Sequence, residues 1–368
     1  MFKFIDNFYD WWKNIDKIIL FLIIILFSLG LFFSLVSTSL IASDKLDTNS
    51  YFFFLKHLIF ITLGSLTLFL FSILKEEFLL QLSLILFCFI FITLLMVPFI
   101  GIEVKGSKRW LDLGFLPRFQ PIELLKPYFI IIISSLLCIN KNIYYKYLLS
   151  GLVLLPVVLL LLSQPDLGQT LLITMVWLTL IFISGINIFL FFLFFTLSIS
   201  LSTYLIFFVS KFQYIKIRLI SFLDTSSGNN YQADRASDAI SSGGFFGKGI
   251  GEGTLNSKVP EAHTDYIISV ISEEFGVIIV ILIMIIFLIF SYNVIRKIDQ
   301  KISEKNKLIL IGCVTLLLLQ TFVHIGVNIR LLPTTGMTLP FLSYGGSSII
   351  STALVSGIIL NLTKRKLP

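Results

Sequence analysis

The sequence predicts an all-α, polytopic integral membrane protein with about ten transmembrane helices and a long loop between the seventh and eighth. Three observations carry this. Of 368 residues, 57% are apolar and 13% charged, where a soluble domain has about 25% charged residues. Mean hydropathy is +0.97. The apolar residues fall in blocks of roughly 20, long enough to cross a bilayer core of about 30 Å as helices. A water-soluble globule, a nucleic-acid-binding protein and a disordered chain are poor descriptions of such a composition. The net charge of +7 does not mark a nucleic-acid surface, because the basic residues sit between apolar runs.

The expected spans are 17–41, 51–74, 78–100, 122–139, 143–163, 168–186, 188–209, 266–291, 307–330 and 339–362. Each must be helical, since lipid offers no partner for backbone N–H and C=O groups. The first segment, 1–16, mixes Asp and Lys and leads into a run too long for a signal core, so it is expected to be retained. Trp11 and Trp12 suit the headgroup layer before the first span. Lys75-Glu76-Glu77 separates the second and third spans. The three cysteines lie inside apolar runs with no metal or redox spacing, and no disulfide is expected.

An even number of spans puts both termini on one side. Lys and Arg divide evenly between the two sides, so density decides. The cations packed into short segments, Arg296, Lys297, Lys301, Lys305 and Lys307 with Lys364-Arg365-Lys366, place both termini in the cytoplasm. One membrane domain then covers 1–368, with a cytoplasmic segment 1–16, an extracytoplasmic loop 210–265 and a cytoplasmic tail 363–368. Segments 101–121 and 210–265 face outward and are not apolar. Long loops in compact proteins are usually functional or disordered, so chemistry is sought on that side. No internal repeat points to an inverted-repeat transporter.

Ionisable groups in membrane helices are functional candidates by default. Pro121 suits the first turn of the fourth span. Glu123 follows near the positive end of the helix dipole, and Lys126 shares its face three residues on. The two are either a structural pair snorkelling to the interface or part of a polar cavity. Asp265 opens the eighth span, as a helix N-cap or as a carboxylate able to act as a base. His263 and Asp265, two apart, do not make a metal site by themselves. Glu273 and Glu274 lie about 12–13 Å further along if that helix is continuous, where a basic partner on a neighbouring helix is expected. Asp166 reads as a cap of span six. His324 and Asn328 share a helix face. The small residues opening span ten permit close helix approach. Nucleophile elbow, P-loop, dinucleotide and HExxH motifs are absent from the sequence.

Five segments in this order resemble the SEDS family, the shape, elongation, division and sporulation proteins. They are Lys108-Arg109-Trp110-Leu111; Gln120-Pro121-x-Glu123-Leu124-x-Lys126; Gln164-Pro165-Asp166-Leu167-Gly168; Ala262-His263-Thr264-Asp265 with Glu273-Glu274-x-Gly276; and Leu332-Pro333-x-x-Gly336 with Pro340-Phe341-x-Ser343-Tyr344-Gly345-Gly346-Ser347. The resemblance covers roughly 15–365. The stretch Gly251-Glu252-Gly253-Thr254 brings the cell-division branch closer than the rod-elongation branch. Ile122, Gln169 and Tyr266 stand where the family usually has Ser, a smaller residue and Phe. None of these departures removes an ionisable group.

The resemblance implies a peptidoglycan glycosyltransferase that polymerises lipid II at the outer face of the cytoplasmic membrane, at the division septum. It implies Asp265 as the catalytic carboxylate. Lys126, Arg109 and Glu123 would serve the departing pyrophosphate, with His263, Gln120, Asp166 and Ser343 in support. A divalent cation, Mg or Mn, would be a further Lewis acid. Expected partners are a class B penicillin-binding protein, other divisome membrane proteins and membrane lipid, and no nucleic acid. The alternatives are a rod-elongation polymerase, a lipid II flippase and a divisome scaffold.

Overall fold

The computed structural model describes residues 9–45, 51–104, 107–114, 117–139, 143–223, 231–255, 259–298 and 302–364. Residues 1–8 of the N-terminal segment, Lys301, 224–230 and 256–258 of the long loop, and Arg365-Lys366 of the tail lie outside the described residues. The apolar runs form α1 Lys17–Lys45, α2 Phe52–Ile73 and α3 Glu76–Ile100, then the hairpin β1 Ile102–Val104 and β2 Ser107–Trp110. There follow α4 Pro121–Leu137, α5 Ile143–Ser163, α6 Leu167–Ile183 and α7 Ile188–Phe208. The 210–265 segment contains α8 Gln213–Leu223 and α9 Tyr231–Gly243, so it is folded rather than a bare loop. The chain ends with α10 Ile267–Phe275, α11 Val277–Ile298, α12 Glu304–Asn328 and α13 Gly346–Leu362.

Seven described helices are long and apolar enough to cross a membrane: α1, α2, α3, α5, α7, α11 and α12. The remaining expected spans are α4, α6 and α13, of 17 residues each. At 1.5 Å per residue such a helix is about 25 Å long, short of the full hydrocarbon core. Burial explains how they are tolerated. All three are mostly buried, whereas α7 presents no buried residue. The short, polar-bearing helices therefore sit at the centre together with the mostly buried α12, and the least buried long helices, α7 and α2, carry outward-facing surface. Small residues make the central contact. A Cβ on Gly64 of α2 would stand 3.2 Å from the Ala353 Cβ of α13, and one on Gly357 would stand 2.8 Å from Leu68 O. Asn361 of α13 donates to Phe71 O and Leu74 O, both at 2.7 Å, satisfying carbonyls that the end of α2 leaves orphaned.

Two expected spans are corrected. The tenth helix starts at Gly346, and 339–345 is a turn. The eighth is not one helix from 266, because Gly276 breaks it. Gly276 has φ 81° and ψ 168°, a region essentially closed to residues with a Cβ. The Gly-rich segment crosses this break. Lys248 N donates to Glu273 O at 2.9 Å, Gly249 N to Glu274 O at 3.0 Å, and Val277 N to Gly244 O at 3.0 Å. The first two bonds satisfy carbonyls at the end of α10 and the third satisfies the first N–H of α11, which leaves α11 as the span. Glu273 and Glu274 thus lie on a separate short helix, not deeper along one rod. The loop supplies bonds to both. Lys248 Nζ is 3.3 Å from Glu273 Oε1, which also accepts from Leu255 N at 3.0 Å. Gly251 N donates to Glu274 Oε2 at 2.8 Å.

A Cβ on Gly276 would stand 2.1 Å from Phe245 O. Gly276→Ala is expected to cost about 2 kcal/mol or more, from the backbone region alone and then the clash. It should lower the melting temperature in detergent by several degrees, and an unchanged melting curve would refute this account of the break.

Candidate active site

A cavity of about 1040 Å³ lies at the end of the bundle that carries the hairpin and the 210–265 segment. Small-molecule pockets run from roughly 300 to 1,000 Å³, so the space suits a ligand larger than a single sugar. Its lining includes the cations Lys56, Arg109, Arg118 and Arg218 and the carboxylates Glu123, Glu261 and Asp265. Gln120, Gln169 and Ser347 add neutral polar groups.

The carboxylate of Glu123 is held from two sides. Gln120 is the N-cap residue of α4 and Pro121 its first residue, which puts Glu123 in the first turn and Lys126 one turn on, on the same face. Lys126 Nζ lies 2.8 Å from Glu123 Oε2, with the two side chains 1% and 5% exposed. This pair is buried and does not snorkel. Lys126 also donates to Gln320 Oε1 at 3.0 Å, and Gln320 donates to Thr338 O at 3.0 Å. Gln169 Nε2 donates to Glu123 Oε1 at 2.6 Å. Lys126 is absent from the cavity lining, while Glu123 is present. In this structure Lys126 reaches the cavity only through Glu123. The ammonium stands behind the carboxylate and supports it.

A second cluster joins the first. Asp166 caps α6, accepting from Gln169 N at 3.4 Å. Its Oδ2 accepts from Gln120 Nε2 at 2.9 Å, and Arg109 Nη1 stands 3.7 Å from its Oδ1. Arg109 further donates to Gln164 O at 3.3 Å and to Pro165 O. Burial pushes the Asp166 carboxyl above the usual carboxylate range, and the Arg109 charge opposes that shift. Asp166 faces its partners rather than the cavity. Arg109, Gln120, Asp166, Gln169, Glu123 and Lys126 thus form one chain of ion pairs and hydrogen bonds from the cavity surface into the core.

Asp265 is half-buried and lines the same cavity. Helix α10 starts at Ile267 with Tyr266 as its N-cap residue. Asp265 precedes this residue, and Tyr266 makes no side-chain capping bond of its own. The turn at Gly336 passes beside its carboxylate, since a Cβ there would stand 3.4 Å from Asp265 Oδ2. The Tyr266 phenol is pushed up first by burial and then by the Asp265 charge, with Arg218 acting the other way. His263 does not line the cavity. Its ring packs 5.1 Å from Phe53 and 5.7 Å from Tyr344, centroid to centroid. Ser343 also stands behind the lining, donating to Thr264 O at 2.7 Å. Among the described residues no group of three or more His, Cys, Asp or Glu could hold a metal.

Sequence reasoning missed Lys56, Arg118 and Arg218 as lining cations. Lys56 carried a signal, as a charge within an apolar run. Arg218 carried none, because 210–265 read as one loop and not as a segment with its own helices. Gln169 was noted only as a departure in size, and its bond to Glu123 was not legible.

The cell cycle protein model that spans FtsW, RodA and SpoVE matches residues 16–367. The chain belongs to this family. Among curated members, the chain is 30% identical over 370 residues to a probable peptidoglycan glycosyltransferase FtsW of Caulobacter vibrioides, covering 97% of this chain and 91% of that one. It is 34% identical over 351 residues to the FtsW of Coxiella burnetii of the same description, covering 92% and 93%. Among solved structures, a chain from a peptidoglycan synthase complex that coordinates polymerization and crosslinking superposes with a TM-score of 0.77 at 27% identity, covering 95% and 97%. Thermus thermophilus RodA, a rod shape determining protein, superposes at 0.70 and 26% identity, covering 96% and 97%. The family member described here thus shares the whole membrane domain with both branches.

Proposed function

We propose that this chain, a peptidoglycan glycosyltransferase of the FtsW/RodA family, polymerises lipid II into glycan strands, with Asp265 as the general base. The observation that carries the reading is the shared cavity. Asp265 lines one space with Arg109 and Glu123, although it is far from both in sequence. A hydroxyl of the acceptor sugar attacks the anomeric carbon of the donor. Its proton passes to the Asp265 carboxylate as the C–O bond to the lipid pyrophosphate breaks. The leaving pyrophosphate gains charge, which Arg109 and the other lining cations offset. Lys126 contributes by keeping Glu123 in place. A bound divalent cation would supply further charge neutralisation.

The cavity end faces outward in this reading, with both termini in the cytoplasm. The isoprenoid tail stays in lipid while the sugars occupy the cavity. A class B penicillin-binding protein is the proposed partner, and the division septum the proposed location. The test is incubation of the purified chain with its cognate transpeptidase and labelled lipid II. Glycan strands resolved on a gel are expected. Labelled lipid II crossing a liposome bilayer with no strands formed would overturn polymerisation in favour of flipping.

A further inference from the structure

Asp265 lies outside the regular part of α10, so its position must be set by other elements. Three successive main-chain carbonyls in this segment are held from the C-terminal part of the chain. His263 O accepts from Tyr344 N at 3.0 Å, Thr264 O from Ser343 Oγ at 2.7 Å, and Asp265 O from Asn328 Nδ2 at 3.1 Å. Ser343 Oγ itself accepts from Leu339 N at 2.8 Å. The first two bonds come from one turn, 339–345, and the third from the last residue of α12.

Of the three, the Asn328 bond is the one made to Asp265 itself. Asn328 is fully buried. Its amide nitrogen donates both to Asp265 O and to His324 O, the latter at 2.8 Å. Both neighbours are carbonyls and accept only, which fixes the amide with its NH₂ toward them. His324 is anchored in turn, its Nδ1 standing 2.7 Å from Met337 O. The line therefore runs from the Asp265 main chain through Asn328 and His324 to residue 337, beside Gly336, whose turn passes the Asp265 carboxylate.

We propose that Asn328 is a positioning residue for the transfer reaction, holding the Asp265 main chain so that its carboxylate projects into the cavity. It touches no substrate, since it is absent from the lining. The proposal rests on the reading of Asp265 as base. A base displaced by about 1 Å can lose on the order of 100-fold in rate while binding persists. Loss of Asn328 should therefore appear in kcat and not in KM.

The test is Asn328→Ala and Asn328→Asp, each purified with the transpeptidase and assayed on lipid II beside Asp265→Asn. Asn328→Ala is expected to lower kcat at least tenfold with KM for lipid II within twofold. Asn328→Asp keeps the shape of the side chain, but only its acid form can donate. Its activity relative to the wild type should rise as pH falls from 8 to 6. Wild-type kcat in Asn328→Ala with an inactive Asp265→Asn would overturn the positioning role alone. A fall confined to KM, or no such relative rise in the folded Asp variant, would also overturn it. Full activity in Asp265→Asn would instead remove the underlying reading of the base.

Discussion

Asp265→Asn is expected to lower lipid II polymerisation by about 10²–10⁴-fold, the usual contribution of a positioned general base. The substitution keeps the size of the side chain and its capacity to accept a hydrogen bond, and removes only the basic group. The helix start should survive it, because the N-cap residue of α10 is Tyr266 and not Asp265. The carbonyl bonds from Asn328, Ser343 and Tyr344 involve main-chain atoms and are untouched. Melting temperature and co-purification with the transpeptidase should therefore match the wild type while strands disappear from the gel. Asp265→Ala should be equally inactive. Strand synthesis by the Asn variant at the wild-type rate would show that no carboxylate is needed there.

The second large effect concerns the buried pair. Lys126→Met removes the cation from Glu123 and leaves a carboxylate 5% exposed with Gln169 as its remaining donor. Breaking a buried pair from one side costs about 3–5 kcal/mol, because the surviving charge keeps its desolvation penalty. The variant is expected to melt well below the wild type in detergent and to lose activity. The double variant Glu123→Gln/Lys126→Met removes both charges. It should recover much of the melting temperature, since apolar or neutral replacements of a whole buried pair are often neutral. Activity should not return with stability, because Glu123 is the member of the pair that lines the cavity. Equal melting temperatures for the single and double variants would mean that the charges are not coupled. Recovery of strand synthesis in the double variant would mean that the pair serves stability only.

Helix positions were legible because lipid imposes a simple rule. A run of apolar residues that cannot pair its backbone with water must pair it internally. That rule needs no tertiary information, and the boundaries of α2, α3, α5 and α7 came within a few residues of expectation. The same rule misled at the eighth span. The apolar run resumes directly after Glu273, Glu274 and Gly276, and only the approach of Phe245 O and the loop bonds to α10 show that the backbone must turn there. The loop 210–265 hid α8 and α9 for the opposite reason. Their helices are partly polar and pack against other elements, as the buried Ala233, Ala236 and Ala239 of α9 do.

The site divides in the same way. Glu123 and Lys126 were paired in advance because i and i+3 on a helix share a face, which is local geometry. Asp166 as a cap was local too. Which of these groups meets the cavity was not local. Lys126 points into the core toward Gln320 of α12, and Glu123 does not, although they sit three residues apart.

By itself, the sequence determined that the chain is a helical membrane protein, where most helices run and which charged residues are costly enough to matter. Those properties depend on transfer free energies and on spacing along one helix. Only the tertiary structure decided that Asp265 stands ahead of a short helix and not on a long one. It alone decided that Arg218 joins the cavity and that Lys126 withdraws from it. These outcomes depend on bonds between residues far apart in the chain, such as Asn328 Nδ2 to Asp265 O. Such bonds leave no period or composition to read, because each is a single contact whose energy depends on where the rest of the fold has placed its two ends.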